Sequence, residues 1–432
     1  MKATKEVHLL YGKGGMTVRV PENAHVLQCA KIPAVADVNI AVRDALLNPI
    51  GSPSLEQLIK KRQPQTVAIT VSDITRPVPN RAFLPMILET LNRCGVADSQ
   101  IVIIVGTGMH RPSTHEEHCH LVGDEILSRV EVIDHRATDA ASLVRVCDEP
   151  PVSVCRRFAE ADFRIVTGYI EAHFMAGFSG GRKGVCPALV DLQTIRNFHG
   201  YHTLNSPQAD TGNLRDNPCH EIALKVARAV GVDFLFNVAI NDERKMAGIF
   251  CGELEAAHLA GCKQVAAWTT AKMAGPYDLV ITNGGGFPLD QTFYQTVKGM
   301  CTALPALHER TVLLQASNCG EGLGSREYSE MLLRYGRRWE DFLRDISDTK
   351  NFTVDQWEFQ MQTRVLKRIG TENLRLVTDG IKADVLQKLA LTPVTGSGDA
   401  QTRLQRAVDD FVAANPSARI AVIPEGPYTI IG

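Results

Sequence analysis

The chain has 432 residues, of which 44% are hydrophobic and 22% charged, and this composition excludes a largely disordered protein. With 46 Lys and Arg residues and 48 Asp and Glu residues, the chain has a net charge of −2. It therefore lacks the excess positive charge by which proteins bind nucleic acid or an anionic membrane. At about 150 residues per domain the length predicts two or three domains, and the expected partner is a small molecule.

The chain shows no targeting or membrane signal. Its apolar runs, such as IVIIV at 101–105, are far shorter than the roughly 20 residues of a membrane helix. The first residues lack the apolar stretch of a secretory signal, so we expect a cytoplasmic protein. The 11 cysteines include no C-x-x-C pair, which argues against a disulfide framework and against a zinc site built from cysteine.

Short apolar runs alternate with amphipathic stretches, a pattern typical of an α/β protein with mainly parallel strands. We expect strands at 66–71, 101–105, 163–167 and 278–282, and helices at 81–93, 221–230 and 254–273. Ligands bind beyond the carboxyl ends of parallel strands, so the four segments after these strands are candidate site loops.

The breaker pair Gly275-Pro276 predicts a domain boundary. We expect an N-terminal cofactor-binding domain at 1–274 and a C-terminal domain at 275–404. The second domain would contain a strand at 311–315, helices at 326–334 and 338–344, and the segment 373–378. The last helix, at 399–414, and the strand at 420–423 could close either domain, and we assign 405–432 to the first.

The segment EAHFMAGFSGGRKG at 171–184 holds the densest cluster of functional residue types, including His173 and Lys183. Its glycines would let backbone N–H groups face an anion, and Lys183 could contact a phosphate or form a covalent bond. The spacing departs from that of a nucleotide-binding P-loop. A flexible, solvent-exposed turn is the alternative interpretation.

Other candidates follow the remaining strands. His110 follows a G-x-G pair that lacks the third glycine of a dinucleotide fingerprint, and it could be catalytic or structural. The turn from Asp73 to Arg76 suits hydroxyl and carboxylate recognition, or else a helix cap with a surface ion pair. Gln295 and Lys298 share one face if their segment is helical.

Two histidine clusters could be interpreted as metal-binding sites. HEEHCH at 115–120 fits no metalloprotease spacing, and a solvated first helical turn capped by Thr114 and Glu117 explains it better. His199 and His202 are three residues apart, but no third ligand of matching spacing follows. On spacing alone, one core and one surface histidine is the preferred interpretation of that pair.

Taken in order, these motifs resemble the nickel-dependent lactate racemase family. The residues that show it are SDITRP at 72–77, G-x-G-x-H-R-P at 106–112, HFMAGFSGGRK at 173–183, R-N-x-H at 196–199 and Q-x-x-K at 295–298. QW at 356–357 and IPEGPYT at 423–429 extend the similarity over most of the chain. The resemblance implies two α/β domains with the active site in the cleft between them.

The resemblance also implies a cofactor, a nickel pyridinium-3,5-bisthiocarboxylate mononucleotide called the nickel-pincer nucleotide. Lys183 would tether it through a thioamide, and His199 would be the fourth nickel ligand. His110 and His173 would be the acid/base pair. The turn residues Asp73, Ile74, Thr75, Arg76, Gly180 and Gly181 would contact the cofactor. Substrate would be bound by Arg76, Gln295 and Lys298.

The function so implied is racemisation or epimerisation of a 2-hydroxy acid by reversible hydride transfer. The substrate could be lactate, another short aliphatic acid, a dicarboxylic acid such as malate, or an aldonate. Proteins that make the cofactor would be transient partners, and the oligomeric state is open. Two alternatives stay open: a zinc-dependent hydrolase using His199, His202 and either His110 or His173, and a non-catalytic protein that binds an anionic metabolite.

Overall fold

A computed structural model describes residues 3–432, and the chain folds into two compact units. We call the first the central unit, which consists of Lys31–His199 and Asn213–Trp268. The second, the terminal unit, combines the segment that ends at Ala30 with Gly200–Gly212 and Thr269–Gly432. No described helix combines the length and the apolar character needed to cross a membrane.

A six-stranded sheet forms the middle of the central unit. In spatial order its strands are Met246–Gly252, Phe234–Ile240, Phe163–Tyr169, Val67–Ser72, Ile101–Gly106 and Glu131–Asp134. All neighbours are parallel except the first pair, which is antiparallel. The apolar runs at 66–71, 101–105 and 163–167 are thus confirmed as strands, and nearly every residue in them is buried because helices cover both faces of the sheet.

The α-helices that begin in the central unit are Val38–Leu47, Leu55–Arg62, Asn80–Arg93, His115–Val122, Asp124–Arg129, Arg156–Ala159, Leu192–Phe198, Pro218–Val230 and Leu254–Thr269. Short hairpins join Leu143–Asp148 to Pro151–Cys155 and Ala172–His173 to Gly177–Phe178. Thr114 caps its helix in a capping box with Glu117, as the sequence predicts. The helix predicted at 254–273 ends earlier, because Thr270–Ala271 forms a strand.

A second six-stranded sheet, parallel throughout, organises the terminal unit. In spatial order its strands are Thr392–Pro393, Leu374–Val377, Leu307–Ala316, Tyr277–Asn283, Ile420–Val422 and His25–Val26. Two further strand pairs are Thr4–Leu9 with Met16–Pro21 and Thr270–Ala271 with Ile430–Ile431. The α-helices are Tyr201–Leu204, Phe293–Thr302, Arg326–Tyr335, Trp339–Ser347, Gln356–Asn373, Ala383–Leu386 and Ala400–Ala414.

The strand Ile420–Val422 corrects the expected domain organisation. It pairs with Tyr277–Asn283, so the last segment of the chain completes the terminal unit and not the N-terminal domain to which 405–432 was assigned. His25–Val26 pairs in turn with Ile420–Val422, which takes the start of the chain out of a continuous 1–274 domain. The residues of a short apolar strand predict that it pairs within a sheet, but they do not predict which sheet it joins.

Candidate active site

Three neighbouring strands of the central sheet bring their following loops to one edge. Val67–Ser72 pairs in parallel with both Ile101–Gly106 and Phe163–Tyr169, and Ser72 lies opposite Gly106 in the ladder. Because carboxyl ends of parallel strands meet at one edge, the loops that carry Asp73, His110 and His173 emerge there together.

Asp73 and His110 form a hydrogen-bonded pair in which Asp73 Oδ2 lies 2.5 Å from His110 Nδ1. The other carboxylate oxygen accepts the hydroxyl of Thr75 at 2.6 Å. Burial raises the pKa of Asp73, but the bonds from His110 and Thr75 and the charge of Arg76 outweigh it, and the pKa lies below its ordinary value. The ionised carboxylate accepts the Nδ1 proton of His110, so the lone pair of that imidazole is on Nε2.

The same turn presents the remaining residues predicted there. Ile74 is 40% exposed, which is unusual for so large an apolar side chain and leaves it available to a ligand. The positive charge of Arg76 acts on both Asp73 and Lys183, which places its guanidinium close to both groups.

His173 and Lys183 form the second pair at this edge, with Lys183 Nζ 2.9 Å from His173 Nε2. The hairpin of Ala172–His173 and Gly177–Phe178 holds the imidazole, whose Nδ1 accepts the backbone N–H groups of Met175 and Ala176, each at 3.2 Å. Burial lowers the pKa of Lys183 well below its ordinary value, and the positive charges of Arg76 and Arg182 lower it further.

The glycine-rich turn is a fixed structure, so the interpretation as a flexible exposed turn is wrong. Gly180 and Gly181 have φ values of 72° and 55°, and Gly181 N donates to Asn237 Oδ1 at 2.6 Å. A Cβ on Gly181 would lie 2.5 Å from the ring of His258, so only glycine fits between them. The buried Arg182 donates to His258 Nε2 at 2.9 Å and to the carbonyl of Ala176 at 2.7 Å.

Asn237, His258 and Arg182, the three side chains that fix this turn, were not among the predicted site residues. Asn237 carried a usable signal, because it is a polar residue inside the apolar run FLFNVAI and is fully buried in the strand. Buried amides in strands require hydrogen-bond partners, which suggests a contact with a neighbouring loop.

His199 follows directly on the helix Leu192–Phe198. Its Nδ1 lies 3.1 Å from the carbonyl of Ile195, so Nδ1 carries the proton and Nε2 the lone pair. Burial lowers the pKa of His199 to about 3, and the neighbouring Lys183 and His110 act in the same direction. The structure therefore brings His199 near both residues and keeps it in the neutral form that binds metals.

The side chains of the described part of the chain do not form a metal site by themselves. Within residues 3–432, no three His, Cys, Asp or Glu side chains come together as a potential metal site. The three-histidine zinc site of the hydrolase alternative is therefore not present. In the 115–120 cluster, His118 pairs with Asp134 at 3.0 Å, and His115 begins a surface helix as the sequence predicts.

The two residues predicted to bind substrate from the second domain lie in the terminal unit. Gln295 and Lys298 occupy the helix Phe293–Thr302, which is capped by Thr292. Their segment is therefore helical, which is the condition under which the sequence predicts that they share one face. Gln295 Oε1 is buried and has no hydrogen-bond partner within residues 3–432. A buried amide oxygen without a partner is costly, and a ligand could satisfy it.

Comparison with known proteins identifies the family. The family model described as the lactate racemase N-terminal domain matches residues 11–212, and the lactate racemase C-terminal domain model matches residues 272–431. The chain belongs to the lactate racemase family. It is 33% identical to the lactate racemase of Lactiplantibacillus plantarum over 433 residues, which cover 98% of this chain and 99% of that protein. It is an isomerase of the racemase type.

A second lactate racemase, from Thermoanaerobacterium thermosaccharolyticum, is 30% identical over 441 residues, or 98% of this chain and 99% of that one. The structure of the lactate racemase apoprotein from this organism superimposes with a TM-score of 0.88 at 30% identity, covering 99% of this chain and all of that chain. A protein from Thermotoga maritima shares the fold, with a TM-score of 0.64 at 17% identity over 89% of this chain and 100% of that chain. These matches confirm the mixed α/β fold with mainly parallel sheets.

Proposed function

We propose that this racemase interconverts the two enantiomers of lactate with the help of a nickel-pincer nucleotide. The observation that carries the proposal is the convergence of His110, His173, Lys183 and His199 at one edge of the central sheet. Two relatives that match nearly the whole chain are named lactate racemase, which favours lactate over longer or dicarboxylic 2-hydroxy acids.

The residues present fit this cofactor. The site offers one neutral imidazole, His199, and one amine, Lys183, and residues 3–432 provide no complete set of metal ligands there. A nickel ion held by the sulfur and carbon atoms of its own organic group needs one further ligand, and an imidazole suits it. Lys183 would hold the nucleotide covalently and His199 would be the ligand. Asp73, Ile74, Thr75, Arg76, Gly180 and Gly181 would line the bound group.

When bound, the cofactor would supply the hydride-acceptor chemistry of its pyridinium ring. His110 removes the proton of the substrate hydroxyl through Nε2, because Asp73 holds the proton on Nδ1. His173 would be the acid/base residue for the opposite enantiomer, since the two enantiomers present their hydroxyl groups in different directions. Arg76 would bind the substrate carboxylate, and Gln295 and Lys298 are the further residues that we propose for contact with the substrate.

The chemistry can be tested with lactate that carries deuterium at C2. The protein would be produced together with cofactor-making proteins, and the enantiomers would be separated by chiral chromatography. Hydride transfer should leave the deuterium on C2 of the product, because the transferred hydrogen does not meet water. Racemisation accompanied by exchange of that deuterium with solvent would show proton abstraction and contradict the proposal. The His199→Ala variant is the control without the nickel ligand.

The substrate can be tested by comparing kcat/KM for lactate, malate and an aldonate with the same preparation. Lactate should give the highest value. A higher kcat/KM for malate or for the aldonate would show that the protein is a racemase whose preferred substrate is that acid and not lactate.

A further inference from the structure

The hydrogen bond between His173 and Lys183 has a direction that the backbone determines. His173 Nδ1 accepts two backbone N–H groups, from Met175 and Ala176, so this nitrogen carries no proton. In a neutral imidazole the one proton is then on Nε2. Nε2 lies 2.9 Å from Lys183 Nζ, and a hydrogen bond between them requires Lys183 to be the acceptor. Only an unprotonated amine has a lone pair with which to accept.

The charges around Lys183 agree with that direction. The side chain is partly buried, and its Nζ lies 5.6 Å from the centre of the Phe198 ring. The charged and titratable groups that face it are Arg182 on its own turn, Arg76, Glu171 and His173 on neighbouring loops, Cys219 on the helix Pro218–Val230, and His199. Two of these are guanidinium groups, and their effect on Lys183 is larger than that of the Glu171 carboxylate, so a third positive charge is disfavoured.

We propose that the chain presents Lys183 as a free amine, oriented by His173, before any cofactor is attached, and that Lys183 is therefore its most reactive lysine toward acylating groups. The proposal builds on the proposed tether at Lys183 and explains how one lysine is selected for it. At pH 7 an ordinary lysine is a free amine in only about one molecule in 2,500. A lysine that is already unprotonated has a large advantage as a nucleophile.

The reaction that reveals this state is simple acylation. Lys183 Nζ attacks the carbonyl carbon of acetic anhydride, a carbon–nitrogen bond forms, and the bond from that carbon to acetate breaks. Acetate leaves with the electron pair, and the surplus amine proton passes to water. No electrons are gained or lost, so the reaction needs no other reactant.

The test is competitive labelling of the protein produced without cofactor. A limiting amount of acetic anhydride is added at several pH values between 6.5 and 9, and the remaining lysines are labelled with the deuterated reagent after denaturation. Peptide mass spectrometry then gives a rate for each lysine. Lys60 and Lys245 are the internal references, because both are exposed and the hydrogen bonds that they donate to Glu56 and Glu243 raise their pKa values.

We expect Lys183 to react at least tenfold faster than either reference at pH 7. Its rate should be nearly constant from pH 6.5 to 9, whereas the reference rates should rise about tenfold per pH unit. A Lys183 rate that rises with the same slope as the references would show a charged ammonium and overturn the proposal. Failure of Lys183 to react at any pH would overturn it as well, because the proposed amine must be accessible.

The orientation by His173 is tested with His173→Phe, and His115→Phe, on an exposed helix start, is the matched control. Labelling of Lys183 should slow at least threefold in the first variant and stay unchanged in the second, with thermal melting followed to confirm folding. An unchanged rate in a folded His173→Phe protein would contradict the role of His173. If that variant does not fold, the pH profile of the unmodified chain still decides whether the amine is free. None of these readings depends on racemase activity, so failure of the proposed function would be seen separately.

Discussion

The direction of single hydrogen bonds determines what each histidine of the site can do. His110 donates from Nδ1 to Asp73, His199 donates from Nδ1 to a carbonyl, and His173 accepts at Nδ1 from two backbone N–H groups. His110 and His199 thereby carry the proton on Nδ1, whereas His173 carries it on Nε2. The first two suit a base and a metal ligand, and the third suits a donor to Lys183.

Replacing Asp73 by Asn should separate the orientation of His110 from substrate binding. The amide cannot hold the Nδ1 proton as an ionised carboxylate does, so we expect kcat to fall about 100-fold or more with little change in KM. Initial rates over a range of lactate concentrations measure both constants. Asp134→Asn is the matched control, because Asp134 bonds His118 in the same unit at 3.0 Å. An equal loss in both variants, or a loss that appears only in KM, would contradict the role.

Replacing Lys183 by Met should prevent covalent attachment of the nucleotide. Protein produced together with cofactor-making proteins would show no added mass by intact mass spectrometry, because no amine remains at the tether position. Lys245→Met removes an exposed lysine paired with Glu243 and should keep the added mass. Retention of the adduct in the Lys183 variant would refute the tether.

The sequence alone predicted which residues are candidates but not how they are held. Asp73, His110, His173, Lys183 and His199 stand in strand-end motifs that can be found without a structure. The side chains that fix the glycine turn, including Asn237 and His258, are far from it along the chain. Their contribution depends on tertiary packing, so the local pattern around the turn contains no information about them.

At the level of elements, the hairpin that carries His173 depends on one glycine. Gly177 has a φ of 75°, and a Cβ there would lie 2.2 Å from the backbone carbonyl oxygen of Asn213. We expect Gly177→Ala to lower the free energy of unfolding by about 2 kcal/mol or more, because both the backbone conformation and the contact become unfavourable. Urea unfolding measures the change.

Gly14→Ala provides the comparison for that variant. An added Cβ at Gly14 would meet no atom within 4 Å, so its unfolding free energy should change little. Equal stability of the Gly177 and Gly14 variants would show that the hairpin can rearrange at no cost.

Several strands of the two sheets were predictable and one long helix was not. A strand buried on both faces is a continuous apolar run, which stands out in the sequence. The helix Gln356–Asn373 buries polar side chains such as Gln356, Glu358, Gln360 and Gln362 together with apolar ones. Its sequence therefore lacks the separation of polar and apolar faces by which amphipathic helices are recognised.

For the molecule as a whole, a buried neutral histidine should make stability depend on pH. Burial lowers the pKa of His135 from 6.5 to about 4, and its Nε2 lies 2.9 Å from the carbonyl of Val190. In the unfolded chain His135 becomes protonated as the pH falls below 6.5, whereas in the folded chain it becomes protonated only near pH 4. Stability is therefore lost on acidification across this range, by about 2 kcal/mol from this residue between pH 7 and 5.

The measurement compares urea unfolding at pH 7 and pH 5 for the natural chain and for His135→Gln. The variant lacks the titrating group, so its loss of stability over this interval should be smaller by about 2 kcal/mol. Equal losses in both proteins would show that His135 does not titrate differently in the folded and unfolded states.

The sequence predicted the fold class of the whole molecule, but it did not predict which segments of the chain form each unit. The alternation of apolar runs and helices predicts parallel α/β units wherever they occur. The pairing of His25–Val26 with Ile420–Val422 joins segments from opposite ends of the sequence, and short strands of two or three residues carry too little pattern to predict such a partner.

That pairing has a consequence for biosynthesis. Ile420–Val422 occupies an interior position of its sheet, between Tyr277–Asn283 and the strand from the amino terminus. During translation His25–Val26 is made long before its neighbour, because about 390 residues separate Val26 from Ile420. This strand therefore stays unpaired until that stretch has been synthesised, and a ribosome that stops short of Ile420 releases a chain whose second sheet lacks the strand between Tyr277–Asn283 and His25–Val26.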